Sequence, residues 1–426
     1  MKFVKHLSLY TAVGVISAGI NFFIMPLLSH YLSPGDYGTL ALFNTYVTIL
    51  LPIVSISATS LLSVEYFRQK SRKVFSDQFV SIQLIPLINT LILAILVSIF
   101  YGNIADELEL TGTSTIWGFV ILVVALLAIY YDQVVQFLIL QKKARLYAYY
   151  SLLRVGVEVA LTFYFIVLEG SNWEGRMYSW LISSFVFTII GFFYFKKQGL
   201  LDGKVRIQYI REGIRFGAPL VLHGIGKFVV NQSDRLFIVK MVSLEEAGIY
   251  NIGYTVGSLV MIVVNGFFGF YSPFLMENLS DLNENRKLQI VKMNYYYISG
   301  TLFLLLLILL LTPLFFKYFI DHRYINGVKY VFWVALGYCF WGAYMLFSGI
   351  IFYLKKSNIL GWLSIFNVAT NLILNYYFIK LFGAIGAAYA TAVSFFMLMA
   401  LVAWIAHKLL PLPWLNFSKL KSVRLS

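Results

Sequence analysis

The run Ile214–Val242, IRFGAPLVLHGIGKFVVNQSDRLFIVKMV, reads as one long apolar helix with polar groups set into its middle. His223, Lys227, Asn231 and Asp234 follow one another at steps of four, four and three, and Arg235 adjoins the last. Steps of three and four place side chains on one face of a helix. Most of the other residues are Leu, Val, Ile, Phe and Gly, a composition that suits a bilayer. A cation or carboxylate at bilayer centre costs about 2.5–3.5 kcal/mol on insertion scales, so such residues usually face a protein interior or a watery cavity. Two readings follow. Asp234 and Arg235 neutralise each other and hold helices together, which leaves Lys227 unexplained, or the whole face serves a polar cargo.

The composition around this run has the same character. Of 426 residues, 60% are hydrophobic, 18% aromatic and 12% charged, with a mean hydropathy of +0.79. Soluble domains carry about 25% charged residues, so the chain is a polytopic membrane protein of the all-α class. One span needs about 20 apolar residues, which leaves room for about a dozen. No hydrophilic segment is long enough to fold as a separate catalytic domain. Cys339, the single cysteine, sits in an apolar run and fits a packing role; there is no disulfide framework and no cysteine metal site. The net charge of +14 would suit nucleic acid, but its distribution points elsewhere. Most Lys and Arg lie in short loops on one side, the topology signal of membrane proteins. Lys2, Lys5 and the apolar run to Leu28 resemble a signal peptide. The run is too long, lacks a small-residue cleavage site and is followed by further spans, so it reads as an uncleaved first helix.

Hydropathy predicts helices near 7–32, 39–66, 79–101, 116–140, 146–168, 176–195, 214–242, 248–274, 294–319, 329–353, 358–381 and 384–406. Every second loop is basic: Arg68–Lys73, Gln141–Arg145, Lys196–Arg206, Arg286–Lys292, Leu354–Asn358 and the tail after His407. The alternate loops Ser33–Gly38, Asn103–Leu110, Ser243–Gly248 and Phe382–Gly386 are acidic or neutral, with Arg323 and Lys329 near Asp321 as exceptions. Both termini are then expected in the cytoplasm.

An internal repeat accompanies the alternation. At an offset of 210, Gly14, Asn21, Ser33, Gly38 and Thr45 match Gly224, Asn231, Ser243, Gly248 and Thr255. At 213, Lys142, Lys143, Ser151, the run Tyr164–Ile166 and Gly170 match Lys355, Lys356, Ser364, the run Tyr377–Ile379 and Gly383. At 211, Gly175 and Tyr178 match Gly386 and Tyr389. Six helices per copy make the repeats parallel, which predicts two six-helix bundles, 1–200 and 201–426, around a central cleft. Helix 1 has Val13, Ser17, Ile24 and Met25 where helix 7 has His223, Lys227, Asp234 and Arg235, so the charge belongs to one copy.

Further candidates lie on helices 4 and 5. Arg154 and Glu158 stand four apart on one face with Thr162 beyond and Tyr147 and Tyr150 nearby. They form either a structural ion pair or a phosphate-binding fork beside a titrating or cation-binding carboxylate. Their counterparts are Asn367 and Asn371. Asp132, beside Gln133 and Gln136, steers a cation or, more simply, pairs with Arg154. Glu65, near Arg68, is read as interfacial. His223 is either a proton-coupling group, its reference pKa being about 6.5, or a hydrogen-bonded lumen residue. No nucleotide-binding loop, zinc spacing or nucleophile elbow is present, so neither an enzyme nor a resident cofactor is expected.

The doubled six-helix plan, Tyr31–Gly38 (YLSPGDYG) and Ser233–Tyr254 (SDRLFIVKMVSLEEAGIYNIGY) resemble the Wzx-type O-antigen and polysaccharide flippases of the multidrug/oligosaccharidyl-lipid/polysaccharide exporter superfamily. Asp234, Arg235, Gly248, Ile249 and Tyr250 carry the helix 7 signature, and the similarity covers nearly the whole chain. The resemblance implies translocation of an undecaprenyl-pyrophosphate-linked oligosaccharide from the cytoplasmic to the periplasmic leaflet of a bacterial inner membrane. It implies alternating access driven by a proton or sodium gradient, with membrane lipids, a polysaccharide polymerase and other pathway proteins as partners. Arg154, Lys227, Arg235, Asn21 and Asn231 are then the substrate candidates, and Glu158, His223, Asp234 and Asp132 the coupling or gating candidates. A cation-coupled exporter of small amphipathic drugs is the alternative, although Lys227 and Arg235 match cationic drugs poorly. A membrane glycosyltransferase or polymerase is disfavoured by the short outward loops.

Overall fold

A computed structural model of the protein describes residues 2–68, 71–107, 116–416 and 420. Among these residues every regular element is helical, and twelve helices are long and apolar enough to cross a membrane. The chain is a multi-pass membrane protein. Helices are the economical solution there, because hydrocarbon offers no partner to a backbone N–H or C=O.

Two compact units form, Met1–Phe228 and Val229–Ser426. The first contains α1 (Lys2–Tyr31), α2 (Pro34–Ser55), α3 (Ser60–Arg68), α4 (Arg72–Glu107), α5 (Ile116–Leu140), α6 (Ala144–Thr162) and α7 (Trp173–Lys197). A π-helical turn, Phe163–Leu168, closes the span that α6 begins. Helix α8 (Ile207–Met241) crosses the unit boundary. The second unit holds α9 (Leu244–Gly257), α10 (Val260–Ser280), α11 (Glu284–Phe319), α12 (Val328–Tyr353), α13 (Ser357–Phe382) and α14 (Ile385–Leu409).

The boundary thus lies within α8, whereas the sequence suggested the basic loop at 200. Asp77, buried on α4, explains the difference. It accepts from the Lys204 N–H and from Arg206 Nε, both at 2.7 Å. Ser76 Oγ donates to the carbonyls of Gly199 and Leu200, and the Arg206 N–H donates to Ser81 Oγ. A Cβ on Gly203 would lie 2.3 Å from the Ser76 carbonyl. The loop is therefore docked onto the first unit, and the first half of α8 follows it.

Several helices begin earlier than hydropathy predicts, because their first turns are polar and capped. Ser33 Oγ accepts from the Asp36 N–H at 3.1 Å, and Asp36 Oδ2 accepts from the Ser33 N–H at 3.0 Å, a capping box. Ser243, its repeat partner, accepts from the Glu246 N–H at 3.1 Å. The expected loops Ser33–Gly38 and Ser243–Gly248 are thus first helical turns. Of the expected loop Asn103–Leu110, residues 103–107 complete α4; 108–115 lie outside the described residues, as do 69 and 70 of the first basic loop and 417–419 and 421–426 of the tail.

The repeat is written into the backbone. Lys142 and Lys355 both adopt left-handed φ, 56° and 58°, and so do Gly170 and Gly383, 70° and 69°. A left-handed lysine is uncommon, so its recurrence at the same offset marks equivalent turns. A Cβ on Gly175 would lie 3.0 Å from Phe165 Cβ, and one on Gly386 2.2 Å from the Phe378 backbone. Trp117 meets Tyr178 at 5.6 Å in one unit, and Trp333 meets Tyr389 at 4.7 Å in the other.

Span 2 is broken where its counterpart is only loosened. Ile56 and Ser57 both take left-handed φ, 49° and 51°, between α2 and α3. A β-branched residue there is a genuine outlier. Asn89 Nδ2 donates to the carbonyls of Ile53 and Val54 at 2.6 and 3.2 Å, and so satisfies groups that the break releases. Helix α8 presses small residues against it. A Cβ on Gly217 would stand 2.0 Å from the Ile56 carbonyl oxygen, and one on Gly224 2.8 Å from Pro52 Cβ. In the second unit Ser258 keeps right-handed φ between α9 and α10, at −71°.

The two exceptions to the charge alternation are neutralised locally. Arg323 Nε donates to Asp321 Oδ1 at 2.8 Å and holds that carboxyl down to about 2. Lys329 Nζ donates to Glu246 Oε1 at 2.9 Å.

The close approaches predict an asymmetric cost for one methyl group. Gly386→Ala meets rigid backbone and should destabilise by about 1–3 kcal/mol. Gly175→Ala meets its nearest atoms at 3.0 Å rather than 2.2 Å and should cost clearly less. Thermal unfolding in detergent, followed by size-exclusion fluorescence, would rank them; equal loss would refute the packing described.

Candidate functional site

The candidate residues fall into polar groupings within the spans. The most enclosed is in the second unit, at the end of the run that opened the sequence reading. Asp234 and Arg235 are 4% and 3% exposed. Arg235 Nη1 donates to Asp234 Oδ1 at 2.7 Å and to the Asn231 carbonyl at 2.9 Å. Its Nε and Nη2 both reach Asn251 Oδ1 at 3.4 Å. Tyr250 donates its hydroxyl to Asp234 Oδ2 at 2.5 Å. The guanidinium lies 3.8 Å from the Tyr254 ring centroid, and the Tyr254 and Tyr338 hydroxyls are 2.5 Å apart.

Both carboxylate oxygens and all three guanidinium nitrogens have partners from α8 and α9, and an aromatic face completes the enclosure. Such a pair is costly to bury and costlier to split. Arg235, a substrate candidate from the sequence, has its guanidinium engaged within the unit by burial and by this full set of hydrogen bonds. Asp234 belongs to the same closed network. Adjacent helical positions point about 100° apart, yet α9 meets both side chains, Asp234 through Tyr250 and Arg235 through Asn251 and Tyr254.

The second grouping is in the first unit. Glu158 accepts from Arg176 Nη2 at 2.7 Å, while Arg154 Nη2 stands 3.8 Å from it. Arg176 Nη1 donates to Thr162 Oγ1 at 2.7 Å, and Arg154 Nη2 donates to Ser184 Oγ at 3.1 Å. The Arg154 guanidinium lies 4.2 Å from the Tyr131 ring centroid, and Tyr131 stacks on Tyr150 at 5.3 Å. The i, i+4 pair therefore exists but is the weaker of two. Arg176 was not among the expected residues; an arginine inside the first turn of an apolar span was its signal. In the second unit Asn371 Nδ2 donates to Ser394 Oγ at 3.3 Å, and Asn375 Nδ2 donates to Asn371 Oδ1 at 3.0 Å. Among the described residues, the hydrogen bonds of the equivalent helix pair there join neutral groups.

The third grouping is a polar recess of about 420 Å³ beside the break in span 2. Asp132, Gln133 and Gln136 line it from α5; Ser55, Ser57, Thr59, Ser60 and Ser63 line it from the break and α3. The expected Asp132–Arg154 bridge does not form within 4 Å among the described ion pairs. Arg154 turns to Glu158, Ser184 and the Tyr131 ring, while Asp132 lines the recess.

On α8, His223 and Lys227 are exposed, and Asn231 is half-buried. The four-step stripe thus divides into an exposed cationic part and an enclosed ion pair. Asn21 lies on α1, and its side chain falls outside the described residues.

Comparison with known proteins locates this architecture. Residues 3–278 match the family model described as "Polysaccharide biosynthesis protein". The chain belongs to that polysaccharide biosynthesis family. It is 26% identical over 290 residues to "Lsg locus putative protein 1" of Haemophilus influenzae, covering 66% of this chain and 67% of that protein. Among solved structures, an inward-facing multidrug resistance MATE family transporter superposes with a TM-score of 0.69 at 14% identity, over 97% of this chain and 96% of that one. The inward closed form of the lipid II flippase MurJ gives 0.69 at 17%, over 97% and 90%. The family member described here therefore shares the fold of those transporters.

Leaving one partner of the buried pair alone strands a charge. Asp234→Asn should lower stability by about 3–5 kcal/mol. Tyr250→Phe, which removes one hydrogen bond to a charged group, should cost about 1.5–3 kcal/mol. Asp234→Leu combined with Arg235→Met should recover much of the loss of the single change. Midpoints of heat-induced aggregation of the purified protein would check the order; a silent Asp234→Asn would contradict the network.

Proposed function

We propose that this family member is a non-enzymatic flippase. It moves an undecaprenyl-pyrophosphate-linked oligosaccharide from the cytoplasmic to the periplasmic leaflet, for O-antigen or capsule biosynthesis. The observation that carries the reading is the family match over residues 3–278, joined to an exposed lysine, Lys227, on a membrane-spanning helix. The physical need is clear. A sugar-pyrophosphate cannot cross hydrocarbon unaided, because stripping water from its charges is prohibitive. An ammonium exposed on a span can reach phosphate oxygens, with which it makes charge-assisted hydrogen bonds. Lys227 receives the pyrophosphate, His223 lies one turn away, and the polyprenyl tail stays in lipid.

The location is the bacterial inner membrane with both termini cytoplasmic, supported by the basic loops Gln141–Arg145, Lys196–Arg206 and Leu354–Asn358. A proton or sodium gradient drives the alternate exposure of polar surfaces to the two leaflets. The polymerase and other pathway proteins act on the product.

Export of small amphipathic drugs is the second reading, favoured by the fold shared with a multidrug resistance transporter. Lys227 disfavours it, since cationic drugs would meet a like charge.

Proteoliposomes carrying a fluorescent polyprenyl-pyrophosphate oligosaccharide would test the proposal, with dithionite reporting the exposed leaflet. Wild type should accelerate exchange over protein-free vesicles. Lys227→Ala should slow it by about tenfold or more, the factor that about 1.4 kcal/mol makes, and Lys227→Arg should retain most of the rate. A normal rate in Lys227→Ala would remove the lysine from the mechanism, and drug-resistance loss in a deletion strain would favour the second reading.

A further inference from the structure

The recess beside the break in span 2 is unlike the ion-pair groupings. It has one charged lining residue, Asp132, among hydroxyls and amides: Ser57, Thr59, Ser63, Gln133 and Gln136. Apolar side chains such as Pro52, Ile129 and Phe137 complete the wall. Its volume, about 420 Å³, lies within the roughly 300–1,000 Å³ of small-molecule sites.

Gln133 adds a buried, half-satisfied amide to the lining. The residue is 6% exposed, and its Nε2 finds no hydrogen-bond partner in the protein, while its Oε1 accepts from Gln83 Nε2. A buried amide left unsatisfied costs about 1–3 kcal/mol. Another part of the lining comes from the break itself, where Ser57, next to Ile56, takes left-handed φ. That turn brings Ser55, Ser57, Thr59 and Ser60 around one opening instead of winding them about a helix.

We infer that this recess is the sugar-binding subsite of the cargo, and that Asp132 sets its charge preference. The inference rests on the flippase reading above and names the chemistry of the sugar next to the recess. Hydroxyls and amides exchange hydrogen bonds with a pyranose in both directions, because each can donate and accept. Asp132 accepts from a sugar hydroxyl or an ammonium and repels a carboxylate. The recess therefore takes a neutral or amino-bearing sugar and rejects a uronic acid. A metal-ion cage is the poorer fit: cations such as sodium need several oxygens converging at short range, and this cavity is wide and partly open.

The purified full-length protein in detergent would be titrated with three probes: N,N′-diacetylchitobiose, chitobiose in its ammonium form, and digalacturonate. Saturation-transfer NMR would report binding. Wild type should favour the first two over digalacturonate by about tenfold or more, the order expected for one carboxylate facing another near a protein surface. Asp132→Asn should narrow the ratio to a few-fold, chiefly by admitting digalacturonate. Gln136→Ala, on an exposed side chain, should weaken the two accepted saccharides together. An unchanged preference in Asp132→Asn overturns the inference. So does sodium binding, measured by ²³Na relaxation, that disappears in Asp132→Asn while saccharide binding persists. The lipid-linked exchange assay separates the two levels: no transport by wild type defeats the flippase reading, whereas normal transport with an unchanged saccharide preference defeats the recess alone.

Discussion

Hydrocarbon supplies no hydrogen bonds, and the rest of this structure follows from that constraint. It makes every described element helical and obliges each released carbonyl to find a protein donor. Asn89 meets that obligation at the break in span 2. It also governs the charges. Asp234 and Arg235 persist at depth because Asn231, Tyr250, Asn251 and Tyr254 share the load. Arg154 and Arg176 persist because Glu158 stands between them. Charge inside a span is thus a local equilibrium of partners.

The two units meet the same constraint with different chemistry. The helix pair that uses arginine, glutamate and serine in the first unit uses asparagine and serine in the second. The second span is sharply broken in one copy, and its counterpart merely loosens. The asymmetry concentrates the polar recess in the first unit and the enclosed aromatic ion pair in the second.

Much of this was legible in the sequence. Span ends at Leu140, Phe319 and Tyr353 coincide with the expected ones, because apolar runs stop where water begins. Helix starts came out late at Pro34 and Glu284, since polar first turns look like loops until their caps are seen. The repeat was readable from glycines and paired lysines whose backbone demands are strict. Facing was harder. A four-step stripe identifies the side of α8 carrying polarity, but the tyrosines of α9 decide that Arg235 is enclosed and Lys227 is not. The Asp132–Arg154 bridge failed for a similar reason: Tyr131, one residue away, offers the guanidinium a ring, and the carboxylate faces elsewhere. The unit boundary moved because Asp77 grips a loop whose composition alone says only that it is basic.

The left-handed lysines and glycines paired across the repeat have an evolutionary consequence. After a duplication, both copies drift, and what survives in each records what could not be given up. Here the turns, the serine caps and the close-approach glycines survived, while the span charges Lys227, Asp234, Arg235, Arg154 and Glu158 correspond to uncharged Ser17, Ile24, Met25, Asn367 and Asn371 in the other copy. Scaffold and span charge are therefore separable traits in this chain. A lineage could retune the polarity of its spans by exchanging a handful of residues, leaving the inherited frame untouched.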